Sequence, residues 1–184
     1  MLQWKELYQE CNECTKCNLG SGRTNMVFGE GNPKAKLLFI GEAPGADEDR
    51  TGRPFVGRAG KLFEKGVQAL GLTREKDFYI ANICKCRPER NRTPDEDEAM
   101  ACITYLRNQV ALIKPKIIVC LGATAMKYII SPDWRITRNR GKWVERNGFY
   151  LTCTFHPSAV LRDENKKVSF WEDLKNIKRK YDEV

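Results

Sequence analysis

The residues with the clearest capacity for chemistry lie in three separate places. Gly41-Glu42-Ala43-Pro44-Gly45 holds a carboxylate in a turn, and Asp47, Glu48, Asp49 and Arg50 follow at once. Asn82 closes the apolar run Phe78-Tyr79-Ile80-Ala81-Asn82, and His156, the only histidine, follows another such run. A carboxylate, an amide and an imidazole are groups for acid–base and hydrogen-bonding chemistry. Each has an ordinary structural use as well: a loop carboxylate capping backbone, a turn former, a helix cap. Their delivery to one place is what would make them a site.

The cysteines suggest a second chemistry. Cys11-Asn12-Glu13-Cys14-Thr15-Lys16-Cys17 contains two overlapping C-x-x-C pairs among polar neighbours, which suits thiolates facing one metal or cluster. Cys84, Cys86 and Cys102 follow later, whereas Cys120 and Cys153 fall inside apolar runs and read as core. No secretory signal and no membrane-length apolar run is evident, so a cytoplasmic setting, with metal binding in place of disulfides, is the expectation for the eight cysteines. Spacing alone leaves zinc and an iron–sulfur cluster both open.

The elements that must position these groups alternate. Residues 2–10 read as a short helix with Leu2, Trp4, Leu7 and Tyr8 near one face. Lys36–Ile40 reads as a strand buried on both faces, and Leu62, Phe63, Val67 and Leu70 repeat at helical spacing up to Gly71. After the strand 78–82, Thr93 as N-cap, Pro94 at the first helical position and Glu96 closing a capping box predict a helix to Ile113. A third strand (116–121), a helix (123–130), a fourth strand (148–155) and a last helix (about 168–181) complete the pattern, and 131–147 reads as a long basic connection. The alternation predicts a three-layer α/β/α sandwich around a mostly parallel four-stranded sheet. Its strand ends would bring Glu42, Asn82 and His156 to one rim, the edge at which open α/β sheets bind ligands.

Several motifs are excluded. The Gly29-Glu30-Gly31 loop lacks the third glycine of a dinucleotide fingerprint, and Gly60-Lys61 lacks the earlier glycine and the hydroxyl residue of a phosphate loop. Phe55, between Pro54 and a glycine-led helix start, fits either the core or a platform for a flat ring. A net charge of +8 favours a polyanionic partner. The exposed cations of the loops, Arg58, Arg87, Arg90, Arg92, Arg138, Arg140, Lys142 and Arg162, are candidates for phosphate contact.

Together, Gly41–Gly45, Gly52–Gly60, Asn82-Ile83, Lys85-Cys86-Arg87-Pro88, Asn91-Arg92-Thr93-Pro94 and Phe155-His156-Pro157-Ser158 resemble the family 4 uracil-DNA glycosylases, in order and from about Cys14 to Arg162. The resemblance implies hydrolysis of the N-glycosidic bond of uracil in single- and double-stranded DNA, without lyase activity, on a flipped-out nucleotide. It implies that His156 donates to the departing uracil and that Glu42 orients water and faces the sugar. Phe55 would stack on the base and Asn82 would read it. Gly41, Ala43, Gly45, Glu48 and Asn91 would line the same pocket, Ser158 would contact DNA, and Leu161 or Val160 would wedge into the gap in the stack. Cys14, Cys17, Cys86 and Cys102 match the ligands of a [4Fe-4S] cluster, with Cys11 and Cys84 extra. The expected organisation is one domain over 1–184, its arm (1–25) tied down by the cluster, acting as a monomer on uracil-containing DNA away from any membrane. A relative that traps DNA through a histidine after Cys86 is disfavoured, because no histidine lies there. The rival from another class is an iron–sulfur electron carrier or a non-catalytic DNA-binding module, which would release no uracil.

Overall fold

The computed structural model describes residues 3–184; Leu2, expected on the apolar face of the first helix, lies outside the described residues. That helix, α1, spans Trp4–Asn12 and is followed by the short α2 (Leu19–Gly22). The body then runs β1 (Glu30–Gly31), β2 (Leu37–Gly41), α3 (Ala46–Thr51), α4 (Arg58–Ala69) and β3 (Phe78–Asn82). Next come α5 (Glu96–Ile113), β4 (Ile117–Leu121), α6 (Ala123–Ile129) and α7 (Ile136–Asn139). The chain ends with β5 (Val144–Arg146), β6 (Phe149–Thr154), α8 (Pro157–Arg162) and α9 (Lys166–Glu183).

The sheet has six strands in the order β1-β3-β2-β4-β6-β5. The four predicted strands form its parallel centre, and β1 and β5 are added antiparallel at the two edges. The expectation of four strands is corrected on this point. Runs of two and three residues are too short to show a two-residue period, and both lay in segments read as loop. The basic connection 131–147 likewise contains α7 and β5.

The central strands are apolar on both faces because both faces are covered. Leu37, Phe39, Phe78 and Ile80 pack with Phe63, Val67, Phe170 and Leu174 of α4 and α9. Leu38, Ile40, Ile118 and Cys120 pack with Leu7, Ile103, Leu106 and Met126 of α1, α5 and α6. Three layers follow from this division. The start of α5 moves two residues from the prediction: Asp95 is the N-cap, and Glu98 accepts its N–H at 2.9 Å. Asp-x-x-Glu satisfies the same capping geometry as Thr-x-x-Glu and lies nearer the apolar stripe.

Strand β2 lies between β3 and β4, so the connections leaving it and reaching β4 diverge to opposite sides. The crevice at the carboxyl ends of β2 and β4 is therefore a topological switch point, where open α/β sheets take up ligands. In register, Gly41 pairs with Asn82 and Leu121 with Thr154. The residues that follow these strands emerge on one rim.

Candidate active site

The rim gathers the predicted groups. Gly41 lies between two of them: a Cβ there would stand 2.4 Å from Asn82 Oδ1 and 2.6 Å from Phe55 Cζ. The Phe55 and His156 rings lie 5.7 Å apart, centroid to centroid, with planes inclined by 35°. Glu42, half-buried beside Gly41, accepts a hydrogen bond on Oε2 from the Thr124 hydroxyl, which arrives from β4 by way of the Gly122 turn. Gly122 has φ +94°, and a Cβ on it would meet His156 Cβ at 2.9 Å, so the turns after β4 and β6 touch as well.

Asn82 is 2 % exposed, and its Oδ1 is the one buried side-chain polar atom without a hydrogen-bond partner among the described residues. Leaving such an acceptor unsatisfied costs about 1–3 kcal/mol. This acceptor lies at the sheet edge where open α/β folds take up ligands.

His156 is held in one orientation and one charge state. The Ser158 N–H donates to Nδ1 at 3.1 Å, and the Ser158 hydroxyl lies 2.7 Å from the same nitrogen. Nδ1 is thus the acceptor, and the proton of the neutral ring is assigned to Nε2. Burial, and then the nearby Arg162 charge, push the imidazolium pKa down to about 4, so the ring is neutral near pH 7.

Phe55 is buried at φ +53°, a left-handed conformation costly for a bulky residue. Its loop is held from several sides. Arg74, itself buried, donates to the Pro54 carbonyl at 2.8 Å and to the Phe55 carbonyl at 3.3 Å. Glu48 accepts from the N–H groups of Val56 (2.9 Å), Gly57 (2.8 Å) and Gly45 (3.1 Å). Gly60 is required because a Cβ there would stand 2.1 Å from the Phe55 carbonyl. Glu48 therefore uses both carboxylate oxygens to support the turns around Phe55 and Gly45.

Other expected contacts are redistributed. Arg92 forms a two-pronged pair with Glu98 at 2.7 and 2.8 Å, and Arg140 pairs with Asp173 at 2.7 Å. Arg92 is nevertheless exposed, as are Arg58, Arg90, Arg138, Lys142 and Arg162, whereas Arg140 is half-buried. Asn91 lies on an exposed turn, accepts from Arg87 Nε at 2.8 Å, and makes no hydrogen bond to Glu42, Asn82 or His156 among the described residues. Leu161 is 37 % exposed and Val160 is fully buried, so of the two suggested wedges only Leu161 is presented to solvent. Ser158 is spent on His156. Ala43 and Gly45 sit in the turn beyond Glu42, half-buried.

Away from the rim, Cys11, Cys14, Cys17, Cys86 and Cys102 line one small cavity with Lys85 and Tyr105. Among the described residues no three His, Cys, Asp or Glu side chains gather closely enough to hold a single metal ion. Five thiols around one cavity are a donor set that suits thiolate ligation of a metal centre. N–H donors already address the sulfurs: Arg23 Nη1 to Cys86 Sγ at 3.1 Å, and the Lys85 backbone N–H to Cys102 Sγ at 3.2 Å. A hydrogen bond from Cys84, and then the Lys85 charge, favour the Cys102 thiolate, whereas burial pushes Cys11 up to about 12. Cys11 thus faces the same cavity as the four matched cysteines.

The sequence profile of the uracil DNA glycosylase superfamily matches residues 28–175. The chain is 45 % identical over 183 residues to the Type-4 uracil-DNA glycosylase of Sulfurisphaera tokodaii, covering 95 % of this chain and 83 % of that protein. The chain belongs to the type-4 uracil-DNA glycosylases. The Type-4 enzymes of Thermotoga maritima and Archaeoglobus fulgidus are each 42 % identical to it, over 92 % and 94 % of this chain and 90 % of each relative. Within this family the rim containing Glu42, Asn82 and His156 is the place to look for the glycosylase site. Two residues that sequence reasoning missed, Thr124 and Arg74, support its side chains. Neither lies in a motif; the only available signal was the position of Thr124 two residues beyond a strand-ending glycine. No helix among the described residues is long and apolar enough to cross a membrane.

Proposed function

We propose that this uracil-DNA glycosylase hydrolyses the N-glycosidic bond of a uracil nucleotide flipped into the Gly41–Asn82–His156 rim, releasing free uracil and leaving an abasic site. The observation that carries this reading is the unpartnered, buried Oδ1 of Asn82. Uracil N3–H supplies the missing donor, and uracil O4 accepts from the amide NH₂ of the same side chain. Cytosine presents an acceptor at N3 and a donor at N4, so both pairings fail, at about 1–3 kcal/mol for each buried group left unpaired. Phe55 gives the flat base an aromatic face.

Bond breaking places negative charge on uracil and positive charge on the sugar. The Nε2–H of neutral His156 is the donor for the uracil carbonyl as that charge develops. Glu42 faces the sugar: Thr124 holds Oε2, and Oε1 is left to orient water and stabilise the oxocarbenium-like carbon. We read the enzyme as monofunctional, with Glu42 and His156 acting on the glycosidic bond and no covalent amine step. Leu161 fills the space vacated in the stack, and the exposed cations take phosphates.

Cys14, Cys17, Cys86 and Cys102 would hold a [4Fe-4S] cluster, which would supply a covalent brace between the arm and the strap that follows Asn82. Protein contacts support the same attachment: Tyr105 Oη donates to the Glu10 carbonyl at 3.4 Å, and Trp4 meets Phe28 and Tyr79 edge-on at 5.4 Å. We read the chain as one catalytic unit with its arm within 1–25, acting as a cytoplasmic monomer. The test is incubation with single- and double-stranded uracil-containing oligonucleotides. Free uracil and alkali-labile abasic sites are expected, and DNA binding without release would favour a non-catalytic binding module.

A further inference from the structure

Phe55 keeps a left-handed backbone, φ +53°, that a bulky residue holds only when its surroundings impose it. The two peptide planes that meet at its Cα are both gripped. The plane between Pro54 and Phe55 is fixed through its carbonyl, which accepts from Arg74 Nη1 at 2.8 Å. The plane between Phe55 and Val56 is fixed at both edges. Its carbonyl accepts from Arg74 Nη2 at 3.3 Å, and its N–H donates to Glu48 Oε1 at 2.9 Å. Because each peptide is rigid, fixing both planes fixes φ and ψ, and with them the direction of the bond that carries the ring. The ring so aimed stands 5.7 Å from that of His156 and against Gly41.

Arg74 is itself held. Its side chain is 6 % exposed, and each terminal nitrogen is shared between a loop carbonyl and a carboxylate outside the loop. Nη1 pairs with Glu30 Oε1 at 3.4 Å and Nη2 with Glu64 Oε2 at 2.9 Å. Glu64 comes from α4, and Glu30 from the edge strand β1. Glu30 also takes the fork of Arg53, at 2.8 and 2.7 Å, two residues before Phe55 in the same loop. A planar guanidinium can address two carbonyls and two carboxylates at once, whereas an ammonium is a single point of charge. Among the described residues the Arg74 side chain makes no hydrogen bond to Glu42, Asn82 or His156, so its reach into the site is through Phe55.

We propose that Arg74 is a positioning residue for base binding: by locking the two peptide planes around Phe55 it holds the ring in the left-handed backbone geometry from which it faces the planar base. This rests on the proposed stacking of Phe55 on uracil.

The test compares wild type, Arg74→Lys, Arg74→Met, Phe55→Leu and the double variant Arg74→Lys/Phe55→Leu. The readouts are inhibition of excision by free uracil, KM and kcat on a uracil-containing oligonucleotide, and near-ultraviolet circular dichroism for the fold. Arg74→Lys keeps a positive charge for Glu30 and Glu64 but cannot hold both carbonyls. It should raise the uracil inhibition constant about tenfold, the scale of a lost base–aromatic stack, with the larger part of the loss in KM. Arg74→Met should raise it at least as far. Phe55→Leu should raise it similarly, and adding Arg74→Lys to Phe55→Leu should change it by less than about twofold, because the guanidinium acts through the ring. A folded Arg74→Lys with wild-type uracil inhibition, a loss confined to kcat, or effects of the two substitutions that simply multiply would each overturn the proposal. If Arg74→Met does not fold, Arg74→Lys decides, and loss of the fold in both overturns the proposal in favour of a purely structural role. Phe55→Leu with wild-type uracil inhibition would instead overturn the stacking reading beneath it.

Discussion

The Thr124 hydroxyl donates to Glu42 Oε2 across the switch point between β2 and β4. One carboxylate oxygen is thereby fixed and the other left for water. Thr124→Val should lower the single-turnover rate by about tenfold, a typical cost of one charge-assisted hydrogen bond, with little change in KM. Thr124→Ser should recover most of the rate. A KM effect without a rate effect would place Thr124 in substrate binding.

Gly41 leaves no room for a side chain between Asn82 and Phe55. A methyl group there would overlap both Asn82 Oδ1 and the Phe55 ring, at 2.4 and 2.6 Å. Gly41→Ala should lower the melting temperature, as overpacking of a buried site does, at about 1–3 kcal/mol, and should reduce kcat/KM by about a hundredfold or more in the protein that remains folded. Undiminished excision with an unchanged fold would show that the base binds elsewhere.

The pocket was partly legible in the chain. Glu42, Asn82 and His156 were readable because each follows an apolar run long enough to mark a buried strand, and parallel strands deliver their ends to one edge. Phe55 was ambiguous between core and platform: it is buried and packs against Phe63, with its ring 5.7 Å from that of His156. Thr124 and Arg74 act through tertiary contacts between residues distant in sequence, which no local spacing encodes. Charge alone did not show that Arg92 and Arg140 also pair within the protein, with Glu98 and Asp173. The short edge strands escaped because their pairing depends on the neighbouring strand and not on their own composition.

In the proposed reading Asn82 carries the base preference. Asn82→Asp should lower the ratio of uracil to cytosine excision by at least about tenfold, since the amide donor for O4 is lost. Paired assays on uracil- and cytosine-containing strands measure this. An unchanged ratio would remove Asn82 from base reading.

His156 gives a pH signature. Its pKa lies at about 4 in the folded protein, against an ordinary value of 6.5. As pH falls through 6.5 the unfolded chain binds a proton at this residue while the folded chain does not, so acid favours unfolding until the folded pKa is reached. The wild-type melting temperature should fall between about pH 7 and about pH 5 more steeply than that of His156→Asn. Parallel slopes would contradict a neutral, buried imidazole.

The most direct measurement is release of free uracil from a uracil-containing oligonucleotide by wild type, Glu42→Gln and His156→Asn under single-turnover conditions. The account predicts rapid release by wild type and losses of about a hundredfold or more in each variant, the scale on which such groups act. Release at the wild-type rate by both variants would contradict it.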